Sequence, residues 1–209
     1  MCARKRLATE ARCGEGRPMA PSRLAELLCV REGHFRFESG HHGRLWLDLD
    51  RLFLRPASVR PLSAALAGRL ARHGITAVCG PLTGGAFVAQ HLAEALDLRF
   101  FAAQRHQHHD RVTYRLPAGV HQVLTGQRIA VVDDVLNAGS AVATTARELR
   151  HRGGEVVAVG GLLALGDGAR RTAEDLAVPL EVVETWPHEL WSAEQCPRCA
   201  RGEALTDPP

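Results

Sequence analysis

Two adjacent acids, Asp133 and Asp134, follow an apolar run in the stretch AVVDDVLNAGSAV, residues 130–142. The apolar run predicts a buried strand, and like charges at its carboxyl end are costly unless a ligand binds them. Carboxylates there can accept hydrogen bonds from a vicinal diol or hold a divalent cation indirectly. The small residues that follow lead into a predicted helix, whose N-terminal N–H groups bind anions. These features favour a site for a sugar diol beside a phosphate, as in a ribose 5-phosphate, over acids that merely cap a helix.

The elements that position this stretch alternate between strands and helices. Residues 75–96 and 128–153 each predict a strand, a glycine-containing loop and a helix, and residues 155–166 predict a fully apolar strand from the centre of a sheet. This alternation predicts an α/β fold with a mainly parallel sheet. Such sheets bind ligands at the carboxyl ends of their strands, where the acid pair and both loops fall.

The domain organisation follows from composition along the chain. Residues 1–20 are predicted to be a disordered tail, with Met19 as an alternative start, and residues 21–209 are predicted to form one domain. The segment GHFRFESGHHGRLWLDLDRLFLRP alternates as a pair of strands around a Ser-Gly-His-His-Gly turn. Residues 61–74 predict an amphipathic helix that a glycine ends. Residues 105–127 are polar and rich in histidine, which predicts a long loop or a hairpin.

Charge and hydropathy exclude several classes of protein. The chain has 26 basic and 23 acidic residues, a net charge of +3, which is too small to indicate a nucleic-acid partner. No apolar run approaches the roughly 20 residues that span a bilayer, so no membrane association is predicted. The first residues lack the apolar segment of a secretory signal, and we expect a cytoplasmic protein. Because Lys5 is the sole lysine, chemistry that needs a lysine inside the domain is excluded.

Several segments carry a resemblance to a known family. VVDDVLNAGSAV resembles the phosphoribosyl-pyrophosphate signature of the type I phosphoribosyltransferases, and VCGPLTGGAFVAQHLAEAL resembles their pyrophosphate loop. Within that family, GHFRFESGHHGRLWLDLDRLFLRP is most similar to the N-terminal hood of orotate phosphoribosyltransferases. The resemblance implies a twisted, mainly parallel sheet flanked by helices, with a small hood built from residues 30–56 and a C-terminal CPRC tail.

The resemblance also implies an activity. An enzyme of this family joins the ribose 5-phosphate of phosphoribosyl pyrophosphate to a nitrogenous base and releases pyrophosphate, and the hood implies orotate as the base. The implied cofactor is Mg²⁺, bound mainly through the diphosphate of the substrate, and no set of protein metal ligands is predicted. The family further implies a homodimer, in which a mobile loop serves the neighbouring active site.

The resemblance assigns roles to individual residues. The phosphoribosyl group is expected on Asp133, Asp134, Val135, Leu136, Asn137, Ala138, Gly139, Ser140 and Ala141. Pyrophosphate is expected on Leu82, Thr83, Gly84 and Arg105. Catalytic roles are expected for Asp133, Asp134, Arg105 and His106. The base is expected to contact Asn137 and Phe37, although Phe37 is also typical of a packed hood core.

Some positions depart from the family pattern. Glu38 and Gly84 stand where the family commonly has lysines, and its arginine for the orotate carboxylate has no counterpart after the fully apolar strand. That carboxylate would need Arg44, Arg170 or Arg171, because a buried charge without its partner costs on the order of 2–5 kcal/mol. Two alternatives therefore stay open. One is a transferase for another base, and the other is a non-catalytic regulator that binds phosphoribosyl pyrophosphate or a nucleotide.

The CPRC motif raises a separate question. Cys196 and Cys199 make half of a tetrahedral zinc site, which needs four ligands. The domain has no second pair of this kind, so His188 or a second chain would have to complete the site. We interpret the motif as a C-terminal turn with reduced thiols.

Overall fold

The computed structural model describes residues 22–37, 40–109 and 111–206. The predicted tail and Glu38 lie outside these residues. The chain divides into two compact units. The small unit comprises the chain up to Arg51 together with the chain from Leu190 onward, and the large unit is the continuous segment Leu52–Glu189.

The secondary structure alternates through the large unit. The helices are α1 (Arg23–Leu28), α2 (Pro56–Leu70), α3 (Gly84–Leu96), α4 (Ser140–His151), α5 (Gly168–Asp175) and α6 (Pro197–Ala200). The strands are β1 (Val30–Arg36), β2 (His42–Leu47), β3 (Ala77–Pro81), β4 (Arg99–His108), β5 (Arg111–Arg115), β6 (Arg128–Leu136), β7 (Glu155–Leu165), β8 (Leu180–Trp186) and β9 (Leu190–Trp191). Short 3-10 turns lie at Leu49–Arg51, Ala71–His73, Ala118–Val123 and Ala193–Gln195. None of the described helices is long and apolar enough to cross a bilayer.

The large unit is built on a mainly parallel sheet in the order β5-β4-β3-β6-β7-β8. Strands β4, β3, β6, β7 and β8 pair in parallel, and β5 runs antiparallel to β4. This is the α/β fold that the sequence predicts. Because β3 and β6 are neighbours, with Cys79 opposite Val131, the loops that follow these two strands lie side by side.

Strands β6 and β7 form the buried centre of the sheet. Residues 129–132 are fully buried, and β7 is buried throughout residues 158–165. A strand covered on both faces has a continuous apolar run, which is why no alternation appears in this part of the sequence. Helix α4 adds Val142, Ala146 and Leu149 to the core on one face of the sheet, at the spacing of a helical stripe.

Helix α2 begins earlier than the sequence predicts. The glycine-ended helix was expected over 61–74, whereas α2 begins at Pro56. A proline in the first turn loses no helical hydrogen bond and has a suitable φ. Val59 and Leu62 are buried on either side of Pro61, so packing extends the helix across a residue that is disfavoured inside helices.

The polar stretch 105–127 begins as a hairpin, which is one of its two predicted forms. Strand β4 continues to His108 and pairs with β5, so that Arg105 lies opposite Tyr114. Because β3 ends opposite Ala103, β5 is the strand that supplies hydrogen bonds to the rest of β4. The hairpin therefore extends beyond the edge of the parallel sheet at its carboxyl end.

The small unit is an antiparallel sheet in the order β1-β2-β9, accompanied by α1 and α6. Ser22 caps α1 by accepting a hydrogen bond from the Ala25 amide at 3.1 Å. In the described part of this unit, the buried apolar side chains are Leu24, Leu28, Cys29, Phe35, Leu45 and Cys196. A unit of this size has little apolar surface to bury on folding.

Candidate active site

The acid pair lies at the carboxyl end of β6. The Asp134 amide donates a hydrogen bond to Asp133 Oδ1 at 3.1 Å, and the Val135 amide donates one to Asp134 Oδ1 at 2.8 Å. Asp133 and Val135 are half-buried, whereas Asp134 and Leu136 are buried. Backbone amides thus hold one oxygen of each carboxylate in place, and the two carboxyl groups also contact each other.

The electrostatics of the pair are unfavourable in the absence of a ligand. Burial raises the pKa of both carboxyl groups, and the pKa of Asp133 lies well above its ordinary value. The negative charge of Asp134 contributes to the shift at Asp133, because two carboxylates at close range disfavour each other's ionisation. Hydroxyl donors or a nearby cation would relieve this repulsion.

The loop after the acid pair leads to an uncapped helix N-terminus. Gly139 precedes α4 with a φ of 76°, and no side chain caps the helix. The first N–H groups of α4 have no partner within the helix, and together with the helix dipole they attract an anion. Asn137 and Ala141 are half-buried in this stretch, whereas Ala138 and Ser140 are exposed. Gly139 between them is buried, so a ligand would reach this loop at Ala138 and Ser140.

Thr172 holds this loop and was missed by the sequence analysis. Its hydroxyl donates a hydrogen bond to the Ala138 carbonyl at 3.2 Å, across 34 residues of sequence. A Cβ at Gly139 would collide with the Thr172 side chain, and one at Gly168 would collide with the backbone of Asn137. No local pattern marks Thr172, because the loop that it supports is distant in sequence.

The first turn of α3 packs directly against the acid pair through glycines. A Cβ at Gly84 would fall on the Asp134 carboxylate, and one at Gly85 would lie 2.6 Å from Asp133 Oδ1. The position where the family commonly has a lysine thus has no room for a side chain in this structure. Leu82 and Thr83 are exposed, and their peptide bond is cis. No side chain caps α3 either.

Two uncapped helix N-termini therefore flank the acid pair. Helices α3 and α4 follow the neighbouring strands β3 and β6, and both begin at the same edge of the sheet. The arrangement combines two sites for anions with a central site for hydroxyl groups. Among the predicted residues, those of the loops at 82–84 and 133–141 are brought together.

The β4–β5 hairpin adds Arg105 and Tyr114 to this edge. Burial, followed by the charge of Asp133, raises the pKa of Tyr114, and a hydrogen bond from Arg105 opposes that rise. The Tyr114 hydroxyl therefore experiences the charges of both Asp133 and Arg105, and the Arg105 guanidinium also donates a hydrogen bond to Gln107 Oε1 at 3.1 Å. His106 is exposed and points to the opposite face of β4 from Arg105. The sequence analysis missed Tyr114, whose position depends on the strand register.

The two residues predicted to contact the base belong to different units. Asn137 follows β6 in the large unit, while Phe37 lies in the small unit and stacks on Trp46, with the ring centroids 6.2 Å apart and the planes at 10°. Of the arginines considered for a carboxylate, Arg170 forms ion pairs with Asp167 and Glu174 at 3.3 and 3.0 Å. The Arg170 guanidinium is thus engaged near its own helix.

The acid pair does not form a metal cage with other side chains. Within residues 22–37, 40–109 and 111–206, the grouping of His, Cys, Asp and Glu that could hold an ion does not include Asp133 or Asp134. Mg²⁺ keeps several waters and binds readily through substrate phosphates. These residues therefore fit an ion that arrives with a diphosphate.

Sequence comparison relates this chain to known proteins. Residues 54–195 match the phosphoribosyl transferase domain family. Over 183 residues, the chain is 30% identical to the orotate phosphoribosyltransferase of Caldanaerobacter subterraneus subsp. tengcongensis, and the alignment covers 88% of this chain and 92% of that protein. The similarity therefore extends over nearly the whole length of both.

Solved structures share the fold. The orotate phosphoribosyltransferase of Aeropyrum pernix is 28% identical, with a TM-score of 0.59 over 75% of this chain and 87% of that chain. The adenine phosphoribosyltransferase of Thermoanaerobacter pseudethanolicus is 18% identical, with a TM-score of 0.58 over 68% of this chain and 88% of that chain. The second likeness concerns the fold alone.

The raised pKa of Asp133 predicts a pH-dependent gain in stability on substitution. Since its folded-state pKa lies above the ordinary value, stability falls as the pH rises from that ordinary value through the folded-state pKa. Asp133→Asn should raise the free energy of unfolding by about 1 kcal/mol at about pH 8, and the gain should shrink toward about pH 5. Urea unfolding at both pH values measures it. The exposed Asp175→Asn is the control, and an equal gain at both pH values would contradict the prediction.

The contact between Gly80 on β3 and the start of α3 predicts a different effect for this glycine than for one in open space. A Cβ at Gly80 would collide with the backbone of Gly85, whereas Gly68, inside α2, has open space around it. Gly80→Ala should lower the free energy of unfolding by about 2 kcal/mol or more. Gly68→Ala should raise it by about 0.5–1 kcal/mol. Urea denaturation compares the two, and similar effects would show that Gly80 is not constrained.

Proposed function

Because the chain belongs to the phosphoribosyltransferase family, we propose that it uses orotate as the base to which it transfers ribose 5-phosphate. Enzymes of this family take that group from phosphoribosyl pyrophosphate and release pyrophosphate, and this chain is one of them. Orotate is supported by the name of the Caldanaerobacter relative, which aligns with 88% of this chain. The product would be the nucleotide that orotate forms in pyrimidine synthesis.

The observation that carries the phosphoribosyl part of the proposal is the pair of uncapped helix N-termini on either side of the acid pair. Asp133 and Asp134 would accept hydrogen bonds from the ribose hydroxyls. The residues from Val135 to Ala141, at the start of α4, would bind the 5-phosphate, and the loop at 82–84, at the start of α3, would bind the diphosphate. The ribose hydroxyls would thereby supply the hydrogen-bond donors that the carboxylates lack, and Mg²⁺ bound through the diphosphate would supply the positive charge.

The proposed reaction is displacement at the anomeric carbon. A nitrogen of the base would attack as pyrophosphate leaves, through a state in which positive charge develops on the ribose ring. The carboxylates of Asp133 and Asp134 would stabilise that charge, and Arg105 would neutralise the leaving diphosphate. When bound through the diphosphate, Mg²⁺ would supply further neutralisation. His106, on the same hairpin, would help to neutralise the diphosphate. The contact between Arg105 and Tyr114 would fix the orientation of the guanidinium.

Asn137 and Phe37 would contact the base. Because Arg170 is engaged with Asp167 and Glu174, Arg44 and Arg171 are the better candidates to pair with the orotate carboxylate. The fold shared with an adenine phosphoribosyltransferase, together with the missing family arginine, keeps another base as the second candidate.

The proposal retains the predicted homodimer and cytoplasmic location, which are general for the family. It also retains the predicted absence of nucleic acid among the partners, which rests on the net charge of +3.

The acid pair can be tested by turnover. Asp134→Asn removes the charge of a group that would accept hydrogen bonds from the ribose, and a hydrogen bond to a charged group contributes about 1.5–3 kcal/mol. We expect kcat/KM for phosphoribosyl pyrophosphate to fall about 10- to 100-fold, with Asp175→Asn unchanged. Pyrophosphate release with orotate, uracil, adenine and no base measures both activity and base choice. Pyrophosphate release with adenine but not with orotate would favour a transferase for another base. Binding of phosphoribosyl pyrophosphate without release would indicate a non-catalytic regulator.

Arg105 can be tested against a neighbour on the same hairpin. Arg105→Ala should lower kcat about 10-fold or more, because it removes positive charge beside the leaving diphosphate. Arg115 is exposed on β5 and opposite Gln104, and Arg115→Ala should leave kcat nearly unchanged. Steady-state kinetics of pyrophosphate release compare the two variants. Equal losses would indicate a general effect of charge rather than a contact at the site.

A further inference from the structure

Four metal-ligand side chains converge in the small unit, away from the residues assigned to the reaction. His34 lies on β1, His42 on β2, and Cys196 and Cys199 bracket the start of α6. One ligand atom from each lies within 4.8 Å of all the others. His34, His42 and Cys196 are buried, and Cys199 is exposed. We propose that these four residues bind a structural zinc ion.

The distances between the ligand atoms fit a tetrahedral ion. His34 Nε2 lies 3.2 Å from His42 Nδ1, and Cys199 Sγ lies 3.2 Å from His42 Nδ1. His34 Nε2 lies 3.4 Å from Cys196 Sγ and 3.7 Å from Cys199 Sγ. With Zn–N of about 2.0–2.1 Å and Zn–S of about 2.3 Å, a tetrahedron places its nitrogens about 3.3 Å apart and nitrogen and sulfur about 3.6 Å apart. Four of the six distances between ligand atoms are thus close to the spacing that the ion requires, and the other two do not exceed 4.8 Å.

The tautomer of the His34 ring supports a role for this residue as a metal ligand. Its Nδ1 lies 2.9 Å from the Glu203 carbonyl oxygen, and a carbonyl can only accept, so Nδ1 carries the proton. In a neutral imidazole, Nε2 then presents its lone pair toward His42 and the two cysteines. The Glu203 side chain pairs with Arg198 at 2.7 Å and with Arg201 at 2.8 Å. The hydrogen bond to the Glu203 carbonyl fixes the orientation of the His34 ring, as the partners of metal-bound histidines commonly do.

The donor set points to zinc and to a structural role. Two sulfur and two nitrogen ligands in a tetrahedron are typical of zinc, and a site with all four positions filled by protein has none open for a substrate. Two thiolates would balance the charge of the ion. The site would connect both strands of the hairpin to the C-terminal segment, in a unit whose apolar core is small. Units of this size commonly need such a link to stay folded.

Only half of this site was predicted from the sequence. His188 or a second chain was expected to supply the completing ligands, whereas His34 and His42 complete the set in the structure. The register of β1 and β2 shifts between Glu32 and Phe35, and this irregularity brings His34 beside His42. A bulge of this kind depends on pairing across the sheet and leaves no clear mark in the sequence.

Metal content of the purified full-length protein tests the proposal directly. We expect about one zinc per chain by mass spectrometry of the metals, and loss of most of it in Cys196→Ala and His42→Gln. The matched controls are Cys79→Ala, a buried cysteine outside the cluster, and His41→Gln, the exposed neighbour of His42. Both controls should keep the zinc. A wild-type protein without zinc, or with a Cys196–Cys199 disulfide, overturns the proposal.

Two further measurements do not depend on how the variants fold. Wild-type protein exchanged into Co²⁺ should show the intense visible bands of a tetrahedral ion with thiolate ligands, and an octahedral spectrum would contradict the site. Removal of zinc from the wild type by a chelator should lower Tm by about 5 °C or more, and added Zn²⁺ should restore it. None of these readouts uses pyrophosphate release, so the zinc proposal and the orotate proposal can fail separately.

Discussion

Two carboxylates held against each other at the end of a buried strand constrain much of the large unit. Asp133 and Asp134 are desolvated and repel each other, so the surrounding chain must hold them in place without adding to the crowding. The amides of Asp134 and Val135 do this by hydrogen bonding. The first turn of α3 can approach this closely because Gly84 and Gly85 have no side chains. These glycines therefore serve close packing.

The field around the acid pair is arranged by the backbone more than by side chains. Helices α3 and α4 both begin at the edge of the sheet where the acids emerge, and the positive ends of their dipoles partly offset the negative pair. Such an alternation of positive, negative and positive potential matches a ligand with phosphates at its ends and hydroxyls between them. A backbone field of this kind needs no lysine, which accords with a sequence whose sole lysine is Lys5.

The parts of the fold that could be predicted were those with local patterns. The apolar run of β7, the glycine loops and the acid pair each carry their signal within about a dozen residues, and the α/β sheet follows from their order. Tyr114, Thr172 and His34 carried no such signal, because their positions depend on strand register, a contact across 34 residues and a bulge. The start of α2 at Pro56 was missed because packing of its apolar face outweighed the penalty for an internal proline.

The division of the chain into one continuous and one split unit has a consequence for biosynthesis. The large unit is the single segment Leu52–Glu189, so it can fold as soon as that segment has left the ribosome. The small unit needs β9, which starts at Leu190, to complete its sheet. The β1–β2 hairpin therefore stays incompletely paired while the intervening residues are translated. During that time the unpaired edge of the hairpin is exposed to chaperones or to wrong strand partners.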